Sequence, residues 1–558
     1  MMTTLERQQR LQGRAMTVFG LLVTGYVLTM IVMFPLYMPG LNFHMLMFNR
    51  ANLLVSVTGF FGTIFLILLF LFSDLFIQDK KWLPAYRFRV YDWAVLVFAI
   101  FLFSSTLLSP YQGSVWHPAT GYRLDQVDTF WVQFSYVLAF FMVSRLFVYQ
   151  SWLMVVWAVT GIGALVLALL QHLHVDVLGL VHWYGLDALF PLFTVPFGNR
   201  TIASSYGGFI TALFLGLFLT AGHKLAWLYL MAATGGVLLL WMAASDGGWL
   251  GLFGMLFLAI PYVVSRRVYT GRLLVALSAF LGVTLWHNHY LYTQQQLLHS
   301  GELSTLTGSD QTFLNGFTPL PTTPLVVGAI GLGIAGVLLL FLLKRWPESL
   351  FKKLGIIALP TLVVIGVVGI LIIGPQFEGR APGIVYEVYQ LVTFDFAPHL
   401  GSYRMTYWRA GLASAMKEPW FGLGPGLFWQ NLPQHYVDFM YERGEGMVVA
   451  HNRPIQIAAT LGFPAAIAYV VFLISTHVAM AKKAFTDPVV MALGMGTVAY
   501  TISSLVTVES PTVTPLFWIL IGAVVAQLTR PVTPSTPTMA HVVQTNPELE
   551  TLHTETTD

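Results

Sequence analysis

The sequence predicts an all-α, polytopic integral membrane protein with about 12–14 transmembrane helices and a large extracytoplasmic helical loop. Three observations carry that prediction. Hydrophobic residues make up 56% of the chain and charged residues only 9%, with a mean hydropathy of +0.71, whereas a soluble domain carries about a quarter of its residues charged. Apolar windows of the length a bilayer demands, about 20 residues, recur from one end to the other. Lysine and arginine are spread unevenly across those windows, in the sense the positive-inside rule requires.

The windows lie at 15–36, 53–76, 91–108, 129–148, 152–171, 201–221, 225–244, 248–264, 273–286, 325–343, 354–374, 454–476, 488–508 and 512–528. The first follows a basic N-terminus, MMTTLERQQRLQGR, as a signal peptide would. It continues without a small-residue cleavage site and reads as a retained helix. With the N-terminus in the cytoplasm and the chain reversing at each window, nineteen of the 28 lysines and arginines fall inside and the C-terminus is also cytoplasmic. Four regions follow. Residues 1–374 form an N-terminal transmembrane region of about 11 helices, 375–453 an extracytoplasmic loop, 454–529 the C-terminal transmembrane helices, and 530–558 a Thr/Pro-rich, acidic tail read as disordered. A net charge of +3 without runs of like charge argues against nucleic acid as a partner. The absence of cysteine removes disulfides and thiolate metal sites.

The nine basic residues on the wrong side of the rule are the informative ones. Arg50, Arg123 and Arg200 stand apart, and the other six, Arg380, Arg404, Arg409, Lys417, Arg443 and Arg453, all lie in 375–453. A polar segment that long inside a compact protein is usually functional. Its run SYRMTYWRAGLASAMKE has helical spacing, with Arg404 and Trp408 on one face, and reads as a helix at the membrane surface. Three glycines and a proline between Gly422 and Gly426 then break it. A second external loop, 287–324, is Ser/Thr/Gln-rich and carries no basic residue.

His451 is the first candidate for chemistry, because histidine titrates near neutrality and can act as acid, base or ligand. Pro454 suits the first turn of a helix, which sets His451 at the positive end of a helix dipole and favours the neutral ring. On the residues alone two roles stay open: a base, or an interfacial histidine at headgroup depth. Arg404 carries a planar fork suited to phosphate oxygens, or snorkels to the interface. Arg123 in GYRLDQVD and Arg200 in PFGNRTIASSY stand at the outer ends of windows, free to face substrate or to pair with nearby acids, Arg123 with Asp125 or Asp128. The pairs His172 and His174, and His287 and His289, have the spacing of a metal-binding strand but no clustered carboxylate or cysteine, so no metal site is assigned. GLGPG lacks the strand and helix that a phosphate-cradling glycine loop needs.

The order YRMTYWRAGLASAMKEPWFGLGPGLFWQNLPQHY, followed by AHNRPIQIAATLGFPAA leading into a window, resembles the O-antigen ligase and polymerase superfamily of bacterial envelope proteins. The family pattern is met by Arg404 and Trp408, by Pro419, Gly422, Gly424 and Phe428, and by Ala450, His451, Asn452 and Gln456, with Ile455 in place of leucine. The resemblance implies a GT-C-like, metal-independent glycosyltransferase of the inner membrane that uses no cofactor. Such enzymes move a glycan from a polyprenyl-diphosphate carrier to a hydroxyl of a glycan, lipid or protein on the extracytoplasmic side. It further implies His451 as base or acceptor-positioning group and Arg404 as diphosphate ligand, with Trp408, Gly424, Asn452 and Gln456 at the substrate site. Two departures stand out. Asp246, in AASDGGWLGL, occupies a place where many members carry a second diphosphate-binding arginine, so Arg200 or Arg123 is expected to supply that charge; Thr460 stands where an acid is common. Alternatives are a protein O-oligosaccharyltransferase and a transporter of a small anion or glycan. Transport calls for ionisable groups at mid-depth, and the charges here gather at the outer face.

Overall fold

The computed structural model describes residues 4–39, 45–72, 88–118, 127–173, 175, 177, 179, 196–222, 224–302, 308–342, 346–378, 383–396, 400–401, 403–442 and 449–529. Arg123, His174 and the tail 530–558 lie outside them. Among the described residues there is no strand, and the chain is an all-α, multi-pass membrane protein.

In chain order the main helices are α1 (Thr4–Leu36), α2 (Leu46–Leu71), α3 (Val90–Leu108), α4 (Phe130–Leu146), α5 (Ser151–His172), α6 (Arg200–Thr220), α7 (Ala226–Ala243), α8 (Asp246–Val264) and α9 (Arg267–His299). They continue as α10 (Thr322–Leu342), α11 (Glu348–Ile373), α12 (Gly383–Val392), α13 (Arg404–Lys417), α14 (Gln434–Glu442), α15 (Arg453–Leu461), α16 (Phe463–Ala484), α17 (Pro488–Ser503) and α18 (Thr514–Thr529). Each predicted window falls on one or two of these helices. Eleven helices among the described residues are long and apolar enough to cross a membrane, and α4, α17 and α18 are shorter apolar helices of 17, 16 and 16 residues. At about 1.5 Å rise per residue, 16 residues span less than a bilayer's hydrocarbon core. Protein rather than lipid surrounds them: α18 is buried at every position from Thr514 to Ala526.

The core forms around α6, whose apolar window is buried throughout. Small residues bring its neighbours to backbone contact, the packing that association inside a bilayer favours. A Cβ on Gly236 of α7 would fall 2.3 Å from Thr211 Oγ1, one on Gly248 of α8 would fall 2.0 Å from the Ser204 carbonyl, and one on Gly216 would meet the Ala492 carbonyl of α17 at 2.6 Å. The opposite extreme is α11, which has no buried residue in its apolar window. Lipid covers it on most sides.

Two expectations are corrected. The window 454–476 is two helices, α15 and α16, because Gly462 adopts φ +89° and Pro464 opens the next helix; a Cβ at Gly462 would sit 2.3 Å from the Trp420 carbonyl. The stretch 287–299, read as the start of an external loop, instead continues α9. Its polar end is tied down, since Gln295 Nε2 donates to the Leu314 carbonyl (2.8 Å) and the Phe317 carbonyl (3.0 Å), while Leu291 packs on Leu314.

The approach of α8 to α6 leaves no room for a methyl group against backbone. Gly248→Ala is therefore expected to lower stability by about 1–3 kcal/mol, read as earlier loss of monodisperse protein on heating in detergent. An unchanged melting profile would show that the two helices can separate at no cost.

Candidate functional site

Three segments converge on Arg404 and His451. The first is the start of α13. Gly401 and Tyr403 both have left-handed backbone, φ +64° and +66°, which turns the chain so that Arg404 begins the helix. Arg404 Nη1 donates to the Gly401 carbonyl at 3.0 Å, while its Nε is buried without a hydrogen-bond partner. Trp408, one turn on, has its indole N–H in the same condition. The far face of α13 is fixed by Asn431, whose amide nitrogen donates to the carbonyls of Ser414 and Ala459, both at 3.1 Å, and whose carbonyl accepts from Ser414 Oγ.

The glycine turn is the second segment. Gly422, Gly424 and Gly426 have φ of +61°, +127° and +78°. Gly424 is buried between Ser109, Val115 and Thr460, and its N–H donates to the Thr460 carbonyl at 2.9 Å. A Cβ on Gly422 would fall 2.2 Å from the Thr460 carbonyl carbon. The turn thus clamps the end of α15. Thr460, expected as a departure from an acid, is itself buried, and its hydroxyl donates to the Gln456 carbonyl.

The third segment is AHNR. Gln456 Oε1 accepts from the Ala450 N–H at 2.8 Å, holding the approach to α15. Asn452 is the N-cap, its side-chain oxygen accepting from the Ile455 N–H at 3.1 Å and its Nδ2 donating to the Leu505 carbonyl at 3.0 Å. Pro454 occupies the first turn. His451 sits just before the cap at φ +52°, its ring stacked on Tyr407 with centroids 5.2 Å apart and its Nδ1 sealed from solvent without a partner. Burial, and then the Arg404 guanidinium, push its pKa down to about 3, so the ring is neutral. Burial also draws the Arg404 guanidinium below its ordinary range, with Glu387, Asp246 and Tyr407 acting the other way.

Asp246 and Arg200 complete the arrangement. Arg200 opens α6, capped by Asn199, and Asp246 opens α8. One turn into α6, Ser204 Oγ donates to the Ser245 carbonyl at 2.6 Å and accepts from the Gly248 N–H at 3.0 Å, capping α8 in place of Ser245. That latch sets the two helix starts side by side, and Asp246 lies within electrostatic reach of both Arg404 and Arg200. Among the described residues only four non-glycine positions have positive φ, Ala244, Phe394, Tyr403 and His451. Three of them are His451 or lie within two residues of Asp246 or Arg404, and backbone strain of this kind collects at functional sites. Among the described residues no three His, Asp or Glu side chains gather closely enough to hold a metal ion.

Sequence reasoning missed the groups that hold AHNR in place. Arg453 is buried, with its Nη1 bonded to Asp128, its Nε 2.8 Å from Glu509 Oε2, its Nη2 3.3 Å from Gln133 Oε1 and its backbone N–H on the Ser504 carbonyl. Burial works against its charge, and Asp128, Glu509 and Tyr469 more than reverse the effect, so the guanidinium stays protonated. The available signal was Glu509 itself, a lone acid between two apolar windows. Removing the shared cation strands two carboxylates that are largely withdrawn from solvent. Arg453→Met is expected to cost about 3–5 kcal/mol, and Arg453→Met with Glu509→Gln less, measured by thermal unfolding in detergent. Equal losses in the single and double variants would show that the ion pair does not carry the stability.

Comparison with known proteins adds one match. Residues 325–470 match the family model described as O-antigen ligase, a region that holds both Arg404 and His451. No curated protein matches the chain. The chain is thus similar to the O-antigen ligase family through residues 325–470.

Proposed function

We propose that this protein transfers a glycan from a polyprenyl-diphosphate carrier to an acceptor hydroxyl during envelope polysaccharide assembly, on the extracytoplasmic face of the bacterial inner membrane. The observation that carries the reading is a neutral His451, its Nδ1 sealed from solvent, within electrostatic reach of Arg404 in the region that matches the family.

The chemistry needs two things. An acceptor oxygen attacks the anomeric carbon and must lose its proton, which His451 takes as general base. The bond from that carbon to the diphosphate breaks, and the diphosphate leaves with the electron pair. Arg404 and Arg200 stabilise the charge it gathers, as charge-assisted hydrogen-bond donors. Arg200 then supplies the cation that Asp246 displaces from the family pattern, and its reach to Asp246 supports that role. A pKa of about 3 suits the unloaded enzyme, because imidazolium beside Arg404 would repel it. A bound diphosphate reverses the local sign and makes the ring more basic as the donor arrives. With guanidinium groups on the leaving group, transfer has no need of Mg²⁺.

His451→Ala is expected to lower the turnover of purified protein by about 10²–10⁴-fold, with donor binding retained. Arg404→Ala is expected to weaken donor binding and turnover together, and Arg200→Ala to raise the donor KM. EDTA should leave the rate unchanged. Transfer at the wild-type rate by the His451 variant would refute the base assignment, and loss of activity in EDTA would refute metal independence.

A further inference from the structure

A cavity of about 20 Å³ opens beside His451 and has among its walls Asp128, Arg453 and Glu509. That volume holds one water, and the site is polar enough to bind it. A neutral histidine with little intrinsic basicity poses a difficulty for the reaction proposed above. The proton it takes from the acceptor needs a group that stabilises imidazolium or receives the proton onward. Serine hydrolases meet the same need with a carboxylate behind the histidine.

We propose that Glu509 is this carboxylate: a positioning residue that acts through His451 and receives the acceptor's proton across the cavity. The inference rests on the glycosyl-transfer reading. In the balanced step the acceptor O–H bond breaks as its oxygen bonds the anomeric carbon, and the proton passes to the imidazole. From there it moves through one water to a Glu509 carboxylate oxygen, and the diphosphate departs with its electron pair. Glu509 is returned to its ionised form when the proton leaves to solvent after product release.

Glu509 is suited to the task by what surrounds it. It lies on the segment between α17 and α18 with its side chain 9% exposed, with Arg453 Nε of α15 at 2.8 Å and the Tyr469 hydroxyl of α16 donating to Oε1 at 3.4 Å. Asp128, just before α4, shares Arg453 with it, and Tyr136 of α4 and Tyr500 of α17 face it electrostatically. Burial raises its carboxyl to about 7, with Arg453 opposing and Asp128 reinforcing the rise. A group poised there accepts a proton at neutral pH and releases it again. Asp128 is less suited, because it accepts a hydrogen bond from Arg453 Nη1, whereas Arg453 Nε approaches Glu509 without hydrogen-bond alignment.

The sign of the pH dependence follows. The proton acceptor works ionised, so kcat should rise about tenfold per unit below pH 7 and level off above it. Glu509→Gln keeps Asp128 on Arg453, so the fold and the donor KM should hold. Its kcat should fall about 10–100-fold and lose the rise between pH 6 and 8, and Glu509→Asp should restore part of both. The experiment measures kcat, donor KM and melting temperature for wild type, Glu509→Gln, Glu509→Asp and His451→Ala from pH 5.5 to 8.5. A Glu509→Gln enzyme with the wild-type pH profile overturns the inference, whether its kcat is unchanged or has fallen along with its melting temperature. Full activity in His451→Ala instead overturns the glycosyl-transfer mechanism itself, whatever Glu509 does.

Discussion

The position of the candidate site depends on one buried ion cluster. Arg453 draws together Asp128 and Glu509, acids that lie far before and after it in the chain, and adds Gln133 and the Ser504 carbonyl. Charges taken largely out of water are costly, and the two acids hold their places only while the Arg453 cation stays between them. Its geometric consequence is large. It joins the start of α4, the start of α15 and the segment between α17 and α18, with Tyr469 of α16 bonded to the same Glu509. His451 lies two residues before Arg453, so its left-handed backbone and its place against Tyr407 follow from where the cation is fixed.

The charges that meet at Asp246 lie at helix starts. Arg404 opens α13, Arg200 opens α6 and Asp246 opens α8, the latter two set side by side by the Ser204 latch. Asp246 does not leave the site anionic. It lies within electrostatic reach of two guanidinium groups, and Glu387 acts on Arg404 as well. In the proposed reaction the carboxylates keep the arginines neutralised until a diphosphate competes for them.

The helical class was plain in the sequence because hydropathy and length are summed over long windows, and one misplaced residue changes neither. The break at Gly462 was signalled by a glycine two residues before a proline, but the long apolar run across 454–476 outweighed it. Arg404, Asn452 and the start of α13 were legible because capping and helical spacing are local. Arg453 was not, since its meaning lies in Asp128 and Glu509, and no local rule links positions so far apart. Asn431 escaped notice for the same reason: its two amide bonds go to α13 and α15, and nothing adjacent to it in the chain advertises them.

The glycine turn and the helix break act together on α15. Gly424 spends its N–H on the Thr460 carbonyl, which also accepts from Ser105 Oγ, so the turn clamps a helix end and has no N–H there to offer a phosphate. At its other end α15 is held by Arg453, and within it Gln456 reaches back to Ala450. A single span through 454–476 would have coupled His451 to whatever tilt the bilayer imposes on the longer helix. Interrupted at Gly462, nine residues pinned at both ends carry the histidine instead, and α16 can follow the membrane without moving it.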